Sequence, residues 1–204
     1  MAKINQGILG GFSGRIGTVV GYIRKGQPII RSLPSKPQMP PSQGQTNARM
    51  RFAALRTVIP AFVPAMKIGF RSQLDTKMVH CVAFSDMWSA GVVGEAPECA
   101  LDFSKIAVSR GRVACLAEAV VVRAGEAAVV RWAPLGNIPP ADGSDEVYLC
   151  VYSPEETKVR LSEPVRRSEG TLAMVVPDGP LHCYLFAASA ESRETSTSQY
   201  FELL

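Results

Sequence analysis

The sequence predicts a mixed α+β chain with a β-hairpin arm, a helical segment and a mainly β sandwich body. Three observations carry this reading. Residues 17–33 hold two β-branched runs around a glycine turn. From residue 42 to 59 apolar residues recur at helical spacing. Beyond Leu101, short apolar runs alternate with Gly, Pro and Asp turn signals.

Residues 1–14 are rich in glycine and read as an irregular arm. Gly17 to Arg24 (GTVVGYIR) reads as a strand, Lys25-Gly26-Gln27 as a turn, and Pro28 to Leu33 as the return strand. Pro34 to Pro41 (PSKPQMPP) holds four prolines and predicts an extended linker.

Ala48, Phe52, Leu55 and Ile59 then share one helical face, with Ser42 or Thr46 available as the cap. Pro60 and Pro64 are expected to end or kink this helix. A second helix is expected from Asp75, as its cap, to Ala90, closed by Gly91 and Gly94.

The segment LDFSKIAVSRG predicts a strand, and further strands are read in VACLAEAVVVRAG, EAAVVRWAP, EVYLCVYS, TKVRLSEPV, TLAMVVPDG, HCYLFAASA and TSQYFEL. Strands at this spacing predict a β-sandwich. Tyr184, Phe186 and Ala188 alternate with Cys183 and Leu185, so the two sets should face opposite sides of a sheet. The organisation expected is 1–41 arm and linker, 42–100 helical region, and 101–204 sandwich.

Charge is distributed unevenly. From Met1 to Leu74 there are eleven Lys and Arg and no acid, whereas the remaining residues carry eleven cations and eighteen acids, a net of −7. A basic head on an acidic body suits contact with a polyanion, or with the acidic body of a neighbouring copy. The candidate interaction residues are Arg15, Tyr22, Arg24, Lys25, Arg31, Arg49, Arg51 and Arg56. Arg49 and Arg56 are seven apart and share a helical face.

Each familiar chemistry fails at the residue that would perform it. Gly21 to Gly26 has the frame of a phosphate loop, but Gln27-Pro28 replaces the Lys and Ser/Thr that touch phosphate and metal. No G-x-G-x-x-G is present. Gly14-Arg-Ile-Gly17 matches the G-x-x-G of RNA-binding KH loops, but a strand follows it where that loop needs a helix. Ser13 is one residue out of register for a nucleophile elbow.

The two histidines, His80 and His182, each precede a cysteine. Neighbours on a strand point to opposite faces, so His182 and Cys183 cannot share a metal. Asp142, Asp145, Glu146, Glu155 and Glu156 read as solvated loop acids, and the DGSDE spacing is not that of an EF-hand. Trp88, Trp132, Tyr148 and Tyr152 read as core aromatics. No catalytic residue, metal site or cofactor is therefore predicted.

Five cysteines without a C-x-x-C pair predict reduced, buried thiols. No stretch reads as a membrane span, and no apolar run of signal-peptide length opens the sequence.

The segments VVRWAPLG, DEVYLCVYS and RRSEGTLAMVVPDGPLHCYLFAASAES, with the ending STSQYFEL, resemble a fibronectin type III sandwich. Trp132 sits where that family places its core tryptophan on the second strand, and Tyr184 where it places the tyrosine of the sixth. Nearly the whole chain also resembles an uncharacterised bacterial family common in Bacteroidetes. The matching features are ILGGFSGRIGTVVGYIRKG, IIRSLPSKP, the Gln45/Arg49/Phe52 pattern, LDFSKIAVSRG and the Ser198-Gln199-Tyr200 ending. A similar glycine-rich opening occurs in phage-related proteins.

By analogy the resemblance implies a non-enzymatic structural or assembly subunit, cytoplasmic or virion-associated. Its partner would be a second copy or another protein of the same assembly. The alternative is a nucleic-acid module that tracks phosphates without reading sequence.

Overall fold

The computed structural model describes residues 3–4, 10–24, 26–35, 39–94, 98–134 and 142–203. The chain divides into two compact units, Met1–Ser42 and Gln43–Leu204.

The first unit is a four-stranded antiparallel meander of β1 (Lys3–Ile4), β2 (Phe12–Ile16), β3 (Val19–Arg24) and β4 (Gln27–Ser32). The expected hairpin is β3–β4. Residues 12–14, expected to belong to an irregular arm, are instead part of the strand Phe12–Ile16. The reason is local: Gly17, at φ +55°, and Thr18 form a two-residue turn, so Ile16 pairs with Val19 and Gly14 with Gly21. The β3–β4 turn residue Lys25 lies outside the described residues.

The second unit has three layers. Helices α1 (Gln43–Gly69) and α2 (Val79–Ala90) form the first. Two short strands follow, β5 (Val92–Val93) and β6 (Ala100–Leu101), then β7 (Val120–Ala124) and β8 (Ala127–Arg131). The rest of the body is β9 (Glu146–Ser153), β10 (Lys158–Leu161), β11 (Val165–Arg166), β12 (Thr171–Val175), β13 (Leu181–Ala188) and β14 (Gln199–Leu203). The middle layer is the antiparallel sheet β10-β9-β13-β14, with β11 also paired to β9. The outer layer is the sheet β12-β8-β7.

Two cores result. One, between the sheets, is built from Val130, Trp132 and Leu172 on one side and Leu149, Val151, Cys183 and Leu185 on the other. The second lies between the helices and the far face of the middle sheet, where Leu55, Ile59, Phe62 and Met66 meet Tyr148, Tyr152, Tyr184 and Phe186. The Phe62 ring is 5.1 Å from that of Tyr152 and 5.5 Å, edge-on, from that of Tyr184. The middle sheet is therefore covered on both faces, which explains why β9 and β13 are buried almost end to end. The alternation expected on β13 holds: Tyr184, Phe186 and Ala188 face the helices, and Cys183 and Leu185 face the outer sheet. Residues 42–100 do not stand apart from 101–204, because helix and sheet share this second core.

Four expectations need correction. Helix α1 does not end at its prolines but continues to Gly69. Pro60 and Pro64 are four apart on the exposed face, where water can satisfy the carbonyls they leave unpaired. The same helix is long and apolar enough, by length and composition, to cross a membrane. Its apolar stripe (Leu55, Val58, Ile59, Phe62, Ala65 and Met66) is instead packed in the protein core. Helix α2 starts at Val79, capped by extended Met78 without a side-chain bond, not at Asp75; Asp75 bonds Arg193 across the surface at 2.5 Å.

LDFSKIAVSRG is the fourth case. It holds only β6 and a 3₁₀ turn at Phe103–Lys105. Ile106, Ala107, Val108 and Ser109 are all buried, leaving no solvated face for alternation. Their backbone groups find other partners: Val108 N–H donates to Ser198 Oγ at 3.1 Å, and Ser198 N–H to the Ser109 carbonyl at 3.0 Å.

Candidate functional site

Strand register sorts the side chains of the arm onto two faces. In antiparallel pairing, directly opposed residues point the same way. Arg15, Val20 and Arg31 are aligned across three strands, and on β3 and β4 Tyr22 opposes Ile29 and Arg24 opposes Gln27, each two or four residues from Val20 and Arg31. Arg15, Arg24, Arg31 and Tyr22 therefore share one face. The Arg31 guanidinium lies 5.6 Å above the Tyr22 ring, a cation–π contact. Arg15 Nε donates to the Gly17 carbonyl at 3.2 Å.

The opposite face is apolar except for Ser32 and carries Phe12, Ile16, Val19, Ile23, Pro28 and Ile30. Phe12 packs onto Gly21, where a Cβ would stand 2.3 Å from the Phe12 carbonyl oxygen and 2.6 Å from its ring. Only a glycine permits that approach. Ile16, Ile23 and Ile30 remain 45%, 60% and 60% exposed. Among the described residues of this unit only Gly21 is buried, so the arm has no core of its own.

The helix arginines separate by role. Arg49 and Arg56 are exposed on α1. Arg51 turns toward the end of α2, where its guanidinium donates to the Val92 carbonyl at 3.4 Å. It lines a small cleft with Gly44, Asn47, Ala48, Trp88 and Gly94. Trp88, expected in the core, is partly exposed there. Phe52, expected on the core stripe, is half exposed and stacks on Phe84 of α2 at 4.8 Å. Helix α2 runs beside that turn of α1 and takes the place of the sheet.

The body uses several polar residues for architecture. Arg71 donates to the carbonyls of Ser189, Ser192 and Glu194 and holds that loop. Asp145, expected to be solvated, is buried: it accepts from the Asp142 N–H at 3.0 Å and lies 3.6 Å from the buried Arg167 guanidinium. Glu146 accepts from the Tyr148 hydroxyl at 2.7 Å. Desolvation and this bond push the Tyr148 hydroxyl up to about 12.

His182 stacks on Phe103 at 4.2 Å and shares a 2.8 Å hydrogen bond with the Tyr200 hydroxyl. Burial lowers its pKa. All five thiols are free, but only Cys150 and Cys183 are buried; Cys81 and Cys115 are exposed. Burial pushes Cys183 up to about 12, the reverse of nucleophile activation.

A cleft of about 290 Å³ between the end of α1 and α2 is lined by Gln73, Lys77, Ser85, Asp86 and Arg110. Arg110 Nε closes on Asp86 at 2.5 Å. Among the described residues no cluster of three or more His, Cys, Asp or Glu side chains is placed to hold a metal.

The sequence signal for the arm's two faces was available in β2. Phe12, Gly14 and Ile16 alternate with Ser13 and Arg15. Glycine density concealed that period. A model for a family described as a family of unknown function, DUF6266, matches residues 11–201. No curated protein matches the chain.

Proposed function

The chain belongs to the DUF6266 family of unknown function, and on that premise we propose that it is a non-enzymatic assembly protein whose basic arm contacts a neighbouring subunit. The observation that carries this reading is the division of the arm into a cationic face and an exposed apolar face with no core between them. A small sheet of this kind is marginal alone in water and gains stability by covering its apolar side. The net −7 of residues 75–204 offers the opposite charge on the next copy.

We read the body as fibronectin type III-like. Its sheets β12-β8-β7 and β10-β9-β13-β14 enclose Trp132, which fits that architecture. A cytoplasmic or virion setting goes with this reading.

Mass photometry across a salt series, with and without residues 1–41, tests it. Both cores lie in Gln43–Leu204, so the truncated chain keeps its packing. The expected result is arm-dependent oligomers that weaken as salt rises. A strict monomer at low salt and high concentration overturns the reading.

The second reading is a nucleic-acid module, favoured by Arg15, Arg24, Arg31 and Tyr22 on one face. It predicts retardation of DNA or RNA whose log affinity falls steeply with log salt. No retardation at low salt overturns it. Exposed Ile16, Ile23 and Ile30 favour a protein partner, since a phosphate-tracking surface has no use for them.

A further inference from the structure

The outer sheet of the body carries a second exposed apolar face. Residues opposed across β7, β8 and β12 form three rows: Val120-Arg131-Thr171, Val122-Val129-Ala173 and Ala124-Ala127-Val175. The alternate residues, Val121, Val130 and Leu172 among them, point into the inter-sheet core. The outward set is therefore apolar except for Thr171 and Arg131 in one end row. Val120, Val122 and Val175 are 54%, 47% and 67% exposed. A β-sandwich normally presents polar residues on such a face.

We propose that this face of β12-β8-β7 is the docking surface for the apolar face of the arm of a second copy. This rests on the assembly reading and names the contact it uses. Like meets like in shape: each surface presents β-branched residues across three neighbouring strands, with Ile16, Val19, Ile23 and Ile30 on one and Val120, Val122, Val129 and Val175 on the other.

Charge decides against arm packing on arm. Each arm carries Arg15, Arg24 and Arg31 and no acid, so two stacked arms repel at low salt, where the Debye length reaches ~30 Å at ~0.01 M. The body face is instead bordered by acids at both strand ends. Glu118 and Glu169 precede β7 and β12, Glu126 lies in the β7–β8 turn, and Asp178 follows β12. All four are exposed, and Asp178 lies 3.7 Å from Arg123.

Area decides that the exchange is mutual. Strands ~4.8 Å apart and alternate residues ~6.8 Å apart give each face ~280 Å². One arm on one body buries twice that, ~560 Å², which is the scale of a lattice contact. Two copies exchanging arms bury ~1,100 Å², enough for a specific interface. A closed twofold dimer follows.

The test uses the full chain at low salt, with sedimentation velocity as the readout. Ile23→Lys makes the arm more basic, and Val122→Glu makes the body more acidic. A contact driven by charge alone would tighten in either variant. Apolar docking predicts that each weakens the dimer at least ~10-fold, because each buries an unpaired charge. Met78→Glu, which removes an exposed apolar side chain outside both faces, should change nothing. Both positions are solvent-exposed, so an unchanged thermal melt shows that the variants fold.

Arm-dependent association that Ile23→Lys and Val122→Glu leave unchanged or strengthen overturns this docking surface and leaves the assembly reading standing. An unsubstituted chain that stays monomeric at every concentration overturns both.

Discussion

The indole nitrogen of Trp132 donates a 2.7 Å hydrogen bond to the backbone carbonyl of Arg167, and both residues are buried. The Arg167 guanidinium in turn donates to the carbonyls of Ala114 and Cys115, each at 2.8 Å, beside the Asp145 carboxylate. One network thus ties the end of β8 to the loops before β7 and β9. Trp132→Phe keeps most of the packing but strands a buried carbonyl, and should cost about 1–3 kcal/mol. Arg167→Ala leaves Asp145 buried without its partner and should cost about 3–5 kcal/mol. Urea denaturation measures both. Equal stability for the phenylalanine variant would remove the hydrogen bond from the account.

Gly69 ends α1 against the buried strand-like segment. A Cβ there would stand 2.2 Å from the Val108 carbonyl oxygen. The Gly69 carbonyl also accepts from Ser109 Oγ at 3.0 Å and Thr195 Oγ1 at 2.8 Å. Helix propensity favours Gly69→Ala by up to about 1 kcal/mol. Overpacking and the disturbed hydroxyl bonds oppose it by about 1–3 kcal/mol or more. Sterics should win, and the variant should melt lower. A higher melting temperature would show that the backbone yields.

Pro60 lies on the exposed face of a continuous helix. Pro60→Ala restores an N–H that can bond the Arg56 carbonyl, a gain of about 3 kcal/mol at most. The unfolded chain regains freedom worth about 0.4–1 kcal/mol, which offsets part of it. The variant should be about 1–2 kcal/mol more stable in urea denaturation. A loss of stability would mean that the proline fixes a helix geometry the core requires.

The pH dependence of His182 has a definite sign. Its folded pKa is below the ordinary value of 6.5, chiefly through desolvation and against the pull of Glu202. The neutral form is the one the fold accommodates, so stability is complete above pH 6.5 and falls as pH drops toward the folded value. Asp86 acts in the opposite sense, because burial raises its pKa and protonation then favours the fold. The difference between the native chain and His182→Gln isolates the histidine. Melting temperatures between pH 7 and pH 5 should fall less in the variant. Parallel curves would exclude His182 as their cause.

The β3–β4 hairpin and most body strands were legible because turn residues separate β-branched runs. The helix stripe was legible from Leu55 onward. Phe52 and Trp88 were misplaced because periodicity reports a face without naming what covers it. Asp145 was misread for a related reason: a carboxylate in a loop looks solvated until an arginine twenty-two residues later is folded over it. The candidate cations were visible as a list, but their grouping was not.

The α+β class, the acid-free head and the alternation that divides β13 between two cores follow from the order of residues alone. These depend on local preference, composition and a period of two, all of which are written along the chain. That the middle sheet is covered on both sides, and that Arg15, Arg24 and Arg31 share a face opposite three exposed isoleucines, emerges only in the folded chain. Those facts depend on strand register. A shift of one residue would move every side chain of a strand to the other face.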